Sequence, residues 1–403
     1  MNPPALIFGG RRWAAEEAHA AVLRRQEELM LRSSGRTSRP VIAFPSASNP
    51  DTVWSFFAAM ALDAVALPVP DGATTMDESY RAASEAPFDD ATRLRLLTSG
   101  STGTPKIVDL SAQQLRASAD ASRARIGCEP HDIWLCCLPL NHIAGLSILM
   151  RAGIAGATVH LQRRFDADSV NHAIDDDEIT MISLVPTMLR RLLDDRADRP
   201  FPASLRVILL GGAPAHEDLL DRCRQIHAPV ALTWGMSETA SQIATRVPGD
   251  LRSAPDVGLP LPGHRVFVQD GYLGVEGPIA PNGRLLTADR GHLDDKGRVV
   301  VDGRGDAVII SGGENVDPSR VRDVLRTHPS VTDAVVLGMP DVEWGERVCA
   351  VLTGHREGHL QTWLRTRLAP HERPRQIFWV DSLPRNAMGK VQLTVLRTLL
   401  SAD

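Results

Sequence analysis

Residues 98–106 read TSGSTGTPK, directly after the run LRLL at 94–97. Glycine lets backbone N–H groups approach a ligand closely, hydroxyls donate hydrogen bonds, and a lysine adds a point charge. An oxyanion such as a triphosphate asks for that combination in a loop. The spacing is GxxGxxK with Pro105 before the lysine, which cannot open a helix as the GxxxxGK[ST] phosphate loop does. Thr98, Ser99, Gly100, Ser101, Thr102, Gly103 and Lys106 are therefore candidate phosphate ligands in a loop after a strand. The lysine is informative in itself. Of 44 basic residues only Lys106, Lys296 and Lys390 are lysines, so a compact ammonium is kept where arginine is the default.

At 403 residues the chain exceeds what one core usually serves, and two domains are expected. Hydrophobic content of 43% beside 23% charged residues is ordinary for a globular protein. A net charge of −5 with scattered basic residues and only 4% aromatics makes no case for nucleic acid. The five cysteines are odd in number and form no CxxC. Cys136 and Cys137 lie in an apolar stretch and read as buried thiols of a reducing compartment. No leader pattern and no run of 18 apolar residues is found, so a cytoplasmic protein without membrane insertion is expected. A homo-oligomer is left open.

Along the chain, 14–31 reads as a helix, PVIAF and AVALPV as strands, and 71–92 as a polar connector into the LRLL strand. Helices at 112–126, 166–174, 187–193 and 217–226 then alternate with the strands IWLCCLPL, ATVHL, TMISLV, LRVILLGG and PVALTWG. That alternation predicts a parallel or mixed sheet covered by helices. The acidic run DDDE at 175–178 reads as a solvated turn. After about residue 263 the texture changes to short strands and Gly-rich turns. Beyond the Gly-rich break at 303–306 a unit of roughly a hundred residues has helices near 319–326 and 360–368 and strands TDAVVLG and QIFWV.

Four further segments carry chemistry: WGMSETAS at 234–241, TADRG at 287–291, GRGD at 303–306 and PRNAMGK at 384–390. Singly, each fits a helix cap or an Asx turn. In this order, together with TSGSTGTPK, LPLNHIAG, LLGGAP and GRGDAVIISGGENVDP, they resemble the adenylate-forming superfamily of acyl-CoA synthetases and related adenylating enzymes. The resemblance runs from about residue 40 to the end. It implies an α/β fold: a large N-terminal domain of sheets and helices (1–303) binding ATP and acid, and a small α+β C-terminal lid (304–403) joined at a hinge.

The resemblance also implies the chemistry. A carboxylate attacks the α-phosphate of ATP, with Mg²⁺ as cofactor, and coenzyme A then displaces AMP, so the partners are small molecules. Carried over residue by residue, Trp234 and Gly235 face adenine with Gly211, Gly212 and Ala213 on the opposite wall. Ser237 bonds the α-phosphate, Glu238 holds the metal, and Asp289 and Arg304 hold the ribose. Lys390 bridges carboxylate and α-phosphate, Asp306 is the hinge, and Gly312 and Gly313 line the thiol's path. The first domain is shorter than in most relatives, and a glycine-tyrosine-tryptophan element before TADRG is missing.

For the acid, LPLNHIAGLSILMR at 138–151 offers His142 in the pocket position and Arg151 nine residues later, inside an apolar helix. An arginine there needs an anion or a route to water, and both readings stand on the sequence. The stretch is similar to o-succinylbenzoate–CoA ligases of menaquinone biosynthesis, where Arg151 would clamp a second carboxylate. Another aryl- or small-acyl-CoA ligase, a carrier-protein-loading enzyme and a non-catalytic nucleotide binder are the alternatives. The last is disfavoured by the retained Glu238, Asp289, Arg304 and Lys390.

Overall fold

Short apolar strands and covering helices assemble around a nine-stranded sheet. The structure, a computed structural model, describes residues 2–33, 39–70, 78–99, 105–253, 256–305, 308–356, 359–386, 389 and 391–401. From edge to edge the sheet runs Leu259–Pro260, Ser241–Thr245, Val230–Met236, Val207–Leu210, Met181–Leu184, Ile133–Cys136, Thr158–Leu161, Ala5–Phe8, Arg11–Trp13. The six strands from Val230–Met236 through Ala5–Phe8 are mutually parallel. Met181–Leu184 and Val207–Leu210 are buried throughout, as parallel strands covered on both faces must be. Helices Ile143–Ala155, Ala167–Asp176, Pro186–Arg196 and Glu217–Gln225 make the crossovers. The expected α/β alternation is observed, and the expected helix 112–126 is found as Ala112–Ile126.

A second sheet orders Val41–Pro45, Val65–Val69, Thr92–Ser99 and Pro105–Ser111. Its last two strands are an antiparallel pair with Arg95 opposite Asp109 and Thr98 opposite Lys106. LRLL is thus strand, and the segment leaving the loop returns as its partner. Arg95 is fully buried. Its guanidinium takes both Asp109 oxygens at 2.7 Å and donates to the carbonyls of Ala83, Ala86 and Pro87. Of the stretch read as a connector, the described residues 78–92 are docked, and they include helix Glu78–Glu85. The acidic run is exposed, as expected, but it begins inside a helix rather than in a turn. Asp175 lies on helix Ala167–Asp176 and accepts two bonds, at 3.0 and 3.1 Å, from the buried Arg196. Helix Pro50–Ala61, opened by the side chain of Asn49 accepting from Thr52 N, completes this region.

The chain divides into two compact units: Met1–Gln269, Gly274–Leu286 and His292–Val301 form the first, and Asp270–Leu273, Thr287–Gly291 and Asp302–Asp403 the second. In the second, strands Val331–Asp341 and Gly345–Gly354 form a long hairpin, extended by Ile309–Ser311, Glu314–Val316 and Gln376–Trp379. Alternate residues of that hairpin face opposite ways. Ala334 and Val336 pack with Val321, Leu325 and Leu364, while Val335, Leu337 and Met339 pack with Leu396 of helix Leu393–Ser401. Both faces are covered, giving the expected small α+β unit. The hinge residue expected at Asp306 lies outside the described residues.

Cys136 and Cys137 are buried thiols, as expected, and so are the other three cysteines. Burial pushes Cys128, Cys136 and Cys223 up to about 12, and Cys137 and Cys349 upward as well. Among the described residues no helix is long and apolar enough to cross a membrane.

Replacing Arg95 with Met removes the cation that ties the two strands to the preceding helix and strands Asp109 without its partner. The change should cost roughly 3 kcal/mol, read as a lower urea midpoint at unchanged m-value.

Candidate active site

The loops that carry the expected chemistry leave the carboxyl ends of the parallel strands, where a ligand crevice forms in open α/β sheets. His142 follows Ile133–Cys136, Gly211 and Gly212 follow Val207–Leu210, and Ser237 and Glu238 follow Val230–Met236. Ala213 is exposed beside the two glycines, whereas Trp234 is 7% exposed within its strand. Residues 100–104 of the phosphate loop lie outside the described residues, but its two flanks are paired strands. Thr98 Oγ1 donates to Lys106 O at 3.3 Å.

Lys106 and Glu238, 132 residues apart, meet at 2.9 Å, Nζ to Oε1. Lys106 is well exposed and Glu238 partly so, so the pair opens at little cost. The residues read as phosphate ligand and metal ligand therefore sit side by side.

Backbone conformation aims Glu238. Residues Ser237–Thr239 form one 3₁₀ turn, after which Ala240 (φ 54°) and Ser241 (φ 112°) take positive φ, a region side chains rarely adopt. The returning chain passes so close to Gly235 that a Cβ there would lie 1.8 Å from Ser241 O. A register shift between Trp234 and Gly235 marks the same spot. Gly235 is needed for that close approach.

The fold removes one of the two readings of Arg151, the route to water. It lies on helix Ile143–Ala155 and is 1% exposed, so it does not snorkel to water. Its Nη2 donates to Ser241 Oγ at 3.0 Å and its guanidinium sits 5.7 Å from the Trp134 ring. Nε is buried with no hydrogen-bond partner, and no carboxylate among the described residues pairs with it. Burial alone pulls the guanidinium down to about 9. His142, at the N-cap of the same helix, is likewise held below its usual value by burial and is neutral at pH 7.

In the second unit, Asp289 and Arg304 lie on strands Arg284–Leu293 and Val299–Arg304 rather than on turns. Arg304 Nε is 4.0 Å from Asp289 Oδ1, and Asp289 N donates to Thr287 Oγ1 at 3.1 Å. Gly312 (φ 61°) and Gly313 (φ 83°) are the central residues of a two-residue hairpin between Ser311 and Glu314, where positive φ at both is required. Lys390 lies outside the described residues. Shortly before it in the sequence, Arg385 bridges Asp333 and the carbonyl of Gly389.

Two contributors escaped the sequence reading. Ser241 was one hydroxyl among several in WGMSETAS, yet it is what Arg151 touches. Gln114 donates from Nε2 to Glu238 O at 3.2 Å and Ile279 O at 3.1 Å. Its only sequence signal is the S-x-x-Q spacing of a capping box, which says nothing about a residue 124 positions away.

The donor set suits a metal that arrives on a nucleotide. Among the described residues no three histidine, cysteine or carboxylate side chains gather around a metal position. A magnesium ion carried by phosphates needs one or two protein carboxylates and keeps its other oxygens from phosphate and water. Glu238 would supply one such carboxylate.

Comparison with known proteins agrees. Residues 82–292 match the AMP-binding enzyme family, and residues 321–390 match the AMP-binding enzyme C-terminal domain. The chain belongs to the AMP-binding enzyme family. It is 39% identical over 331 residues to 2-succinylbenzoate–CoA ligase of Bacillus subtilis (strain 168), covering 75% of this chain and 68% of that one. To the enzyme of that name from Listeria monocytogenes serovar 1/2a it is 36% identical over 322 residues, covering 75% and 69%. In structure it is similar to o-succinylbenzoate CoA synthetase from Bacillus subtilis in complex with the acyl-adenylate intermediate OSB-AMP. The TM-score is 0.85 at 31% identity, over 99% of this chain and 95% of that one. The same enzyme in complex with ATP and magnesium ion gives 0.85 at 32% identity, over 99% and 96%.

Gly235→Ala places a methyl group against the Ser241 carbonyl and must displace the turn that carries Glu238. It should cost roughly 3 kcal/mol, seen as a lower melting temperature together with loss of acid-dependent pyrophosphate release.

Proposed function

We infer that this chain is an ATP-dependent acid–thiol ligase that joins 2-succinylbenzoate to coenzyme A, a step of menaquinone biosynthesis in the cytoplasm. One carboxylate oxygen of the acid attacks the α-phosphorus of ATP while the bond to pyrophosphate breaks. The thiol of coenzyme A then attacks the acyl carbon of the adenylate and AMP leaves. The observation that carries the substrate assignment is Arg151: a buried guanidinium whose only polar contact among the described residues is a serine hydroxyl. A monocarboxylate leaves that charge unanswered. A second carboxylate on the acid answers it.

The ion pair of Lys106 and Glu238 supports the nucleotide side. A magnesium nucleotide offers each of them a better partner, phosphate oxygens for Lys106 and the metal for Glu238, so the pair guards both charges until the substrate separates them. Bound magnesium supplies neutralisation of the phosphate charge. Thr98, Ser99, Gly100, Ser101, Thr102 and Gly103 cradle the β- and γ-phosphates with backbone and hydroxyl donors. Ser237 bonds the α-phosphate, Gly211, Gly212, Ala213, Trp234 and Gly235 frame adenine, and Asp289 with Arg304 holds the ribose. His142, neutral, lines the acid pocket. Residues 304–403 act as a lid turning at Asp306. In one setting it brings Lys390 to the reacting phosphate, in the other Gly312 and Gly313 to the thiol's path. A pyrophosphate-release screen over aryl and aliphatic mono- and dicarboxylates, with and without coenzyme A, tests the assignment. Preference for a monocarboxylate would overturn it.

Arg151→Met should lower kcat/KM for the dicarboxylate by roughly 30-fold or more and leave ATP affinity unchanged. The same change removes an unpaired buried cation, so the ligand-free protein should melt higher than the wild type. Loss of stability with unchanged KM would make Arg151 structural only.

Lys390→Ala should nearly abolish adenylate formation and spare thioester formation from pre-made acyl-adenylate. Equal loss in both half-reactions would remove the bridging role.

A further inference from the structure

Helix Ala112–Ile126 begins where the strand leaving the phosphate loop ends, and one of its faces holds the Glu238 turn. Gln114, Ser118 and Ser122, spaced i, i+4 and i+8, share that face. They donate in register to Glu238 O, to Ala240 O at 2.7 Å and to Gln242 Oε1. All three side chains are buried. Gln114 does most. Its Oε1 accepts from Ser111 N at 3.0 Å and its own N–H donates to Ser111 Oγ at 3.1 Å, closing a capping box. Its Nε2 spends both hydrogens, one on Glu238 O and one on Ile279 O. An amide with both donors and its acceptor engaged has a single orientation left.

We propose that Gln114 is a positioning residue for the metal-binding step: it fixes the Glu238 carboxylate relative to the loop that carries Lys106. The inference rests on the assignment of Glu238 to magnesium given above. The geometry has a reason to need such a brace. Glu238 is followed by two residues with positive φ, and a backbone of that kind persists only where its surroundings over-determine it. Gln114 reaches the carbonyl of Glu238 itself, and through its cap it is anchored five residues after Lys106. A displacement of Glu238 along the turn is therefore resisted from the phosphate-loop side.

The test is calorimetric binding of a non-hydrolysable ATP analogue to the full chain, with and without Mg²⁺, beside melting temperature. Gln114→Met keeps length and removes the donors. Gln114→Glu keeps the capping acceptor and also removes them. Both should lose about tenfold or more of the Mg²⁺-dependent gain in affinity, with Mg²⁺-free binding and the KM for the acid unchanged. Ser111→Ala, which removes the Oγ half of the cap and leaves Ser111 N donating to Gln114 Oε1, should lower the melting temperature and keep the Mg²⁺ gain. A Mg²⁺ gain kept in full by Gln114→Met, or lost equally in Ser111→Ala, overturns the proposal. Glu238→Gln separates the two layers. If it keeps the Mg²⁺ gain, the metal assignment falls and this inference with it. If it loses the gain while Gln114→Met does not, only the positioning role falls.

Discussion

The carbonyl of Ser241 passes beside Gly235 at a distance no side chain can share, and much of the site follows from that crossing. It forces the chain to double back directly after the Val230–Met236 strand. The short 3₁₀ turn between the two crossing points lifts Glu238 toward the phosphate-loop flank. The return places the hydroxyl of Ser241 against Arg151. One constraint thus sets the carboxylate that meets Lys106 and the hydroxyl that meets Arg151 within four residues of each other.

The two sides store charge differently. Lys106 and Glu238 neutralise one another near solvent, where opening the pair costs little. Arg151 is held away from water with one serine contact and an aromatic ring nearby. That is a standing cost in the free protein, relieved by whatever anion enters. A site arranged this way discriminates by the charge a ligand must bring rather than by shape alone.

Much of this was legible in the chain. The α/β alternation, the helix 112–126 and the C-terminal α+β unit follow from periodicity and breaks, because amphipathic helices and buried strands announce themselves. Helix Pro50–Ala61 did not. Its residues 52–59 are all buried, so it has no polar stripe to reveal a 3.6 period. Helix Glu78–Glu85 was hidden by its polarity, and its docking depends on Arg95, an arginine inside an apolar run whose partners are mainly carbonyls. The DDDE segment is as solvated as it looks, but nothing local shows that Asp175 also answers a buried Arg196. At the site, motif residues could be named singly, but the Lys106–Glu238 contact spans 132 positions. Only the meeting of two separate sheets brings it together.

The five thiols acquire a meaning beside an acyl-adenylate. That species is a mixed anhydride, and any thiolate within reach would be acylated in place of the intended acceptor. A thiol whose pKa stands at about 12 is ionised at pH 7 in only about one molecule in 10⁵. Cys128, the thiol whose titration feels the charge of Arg151, is held there by burial. The apolar packing that stabilises the sheet therefore also silences the protein's own sulfur chemistry.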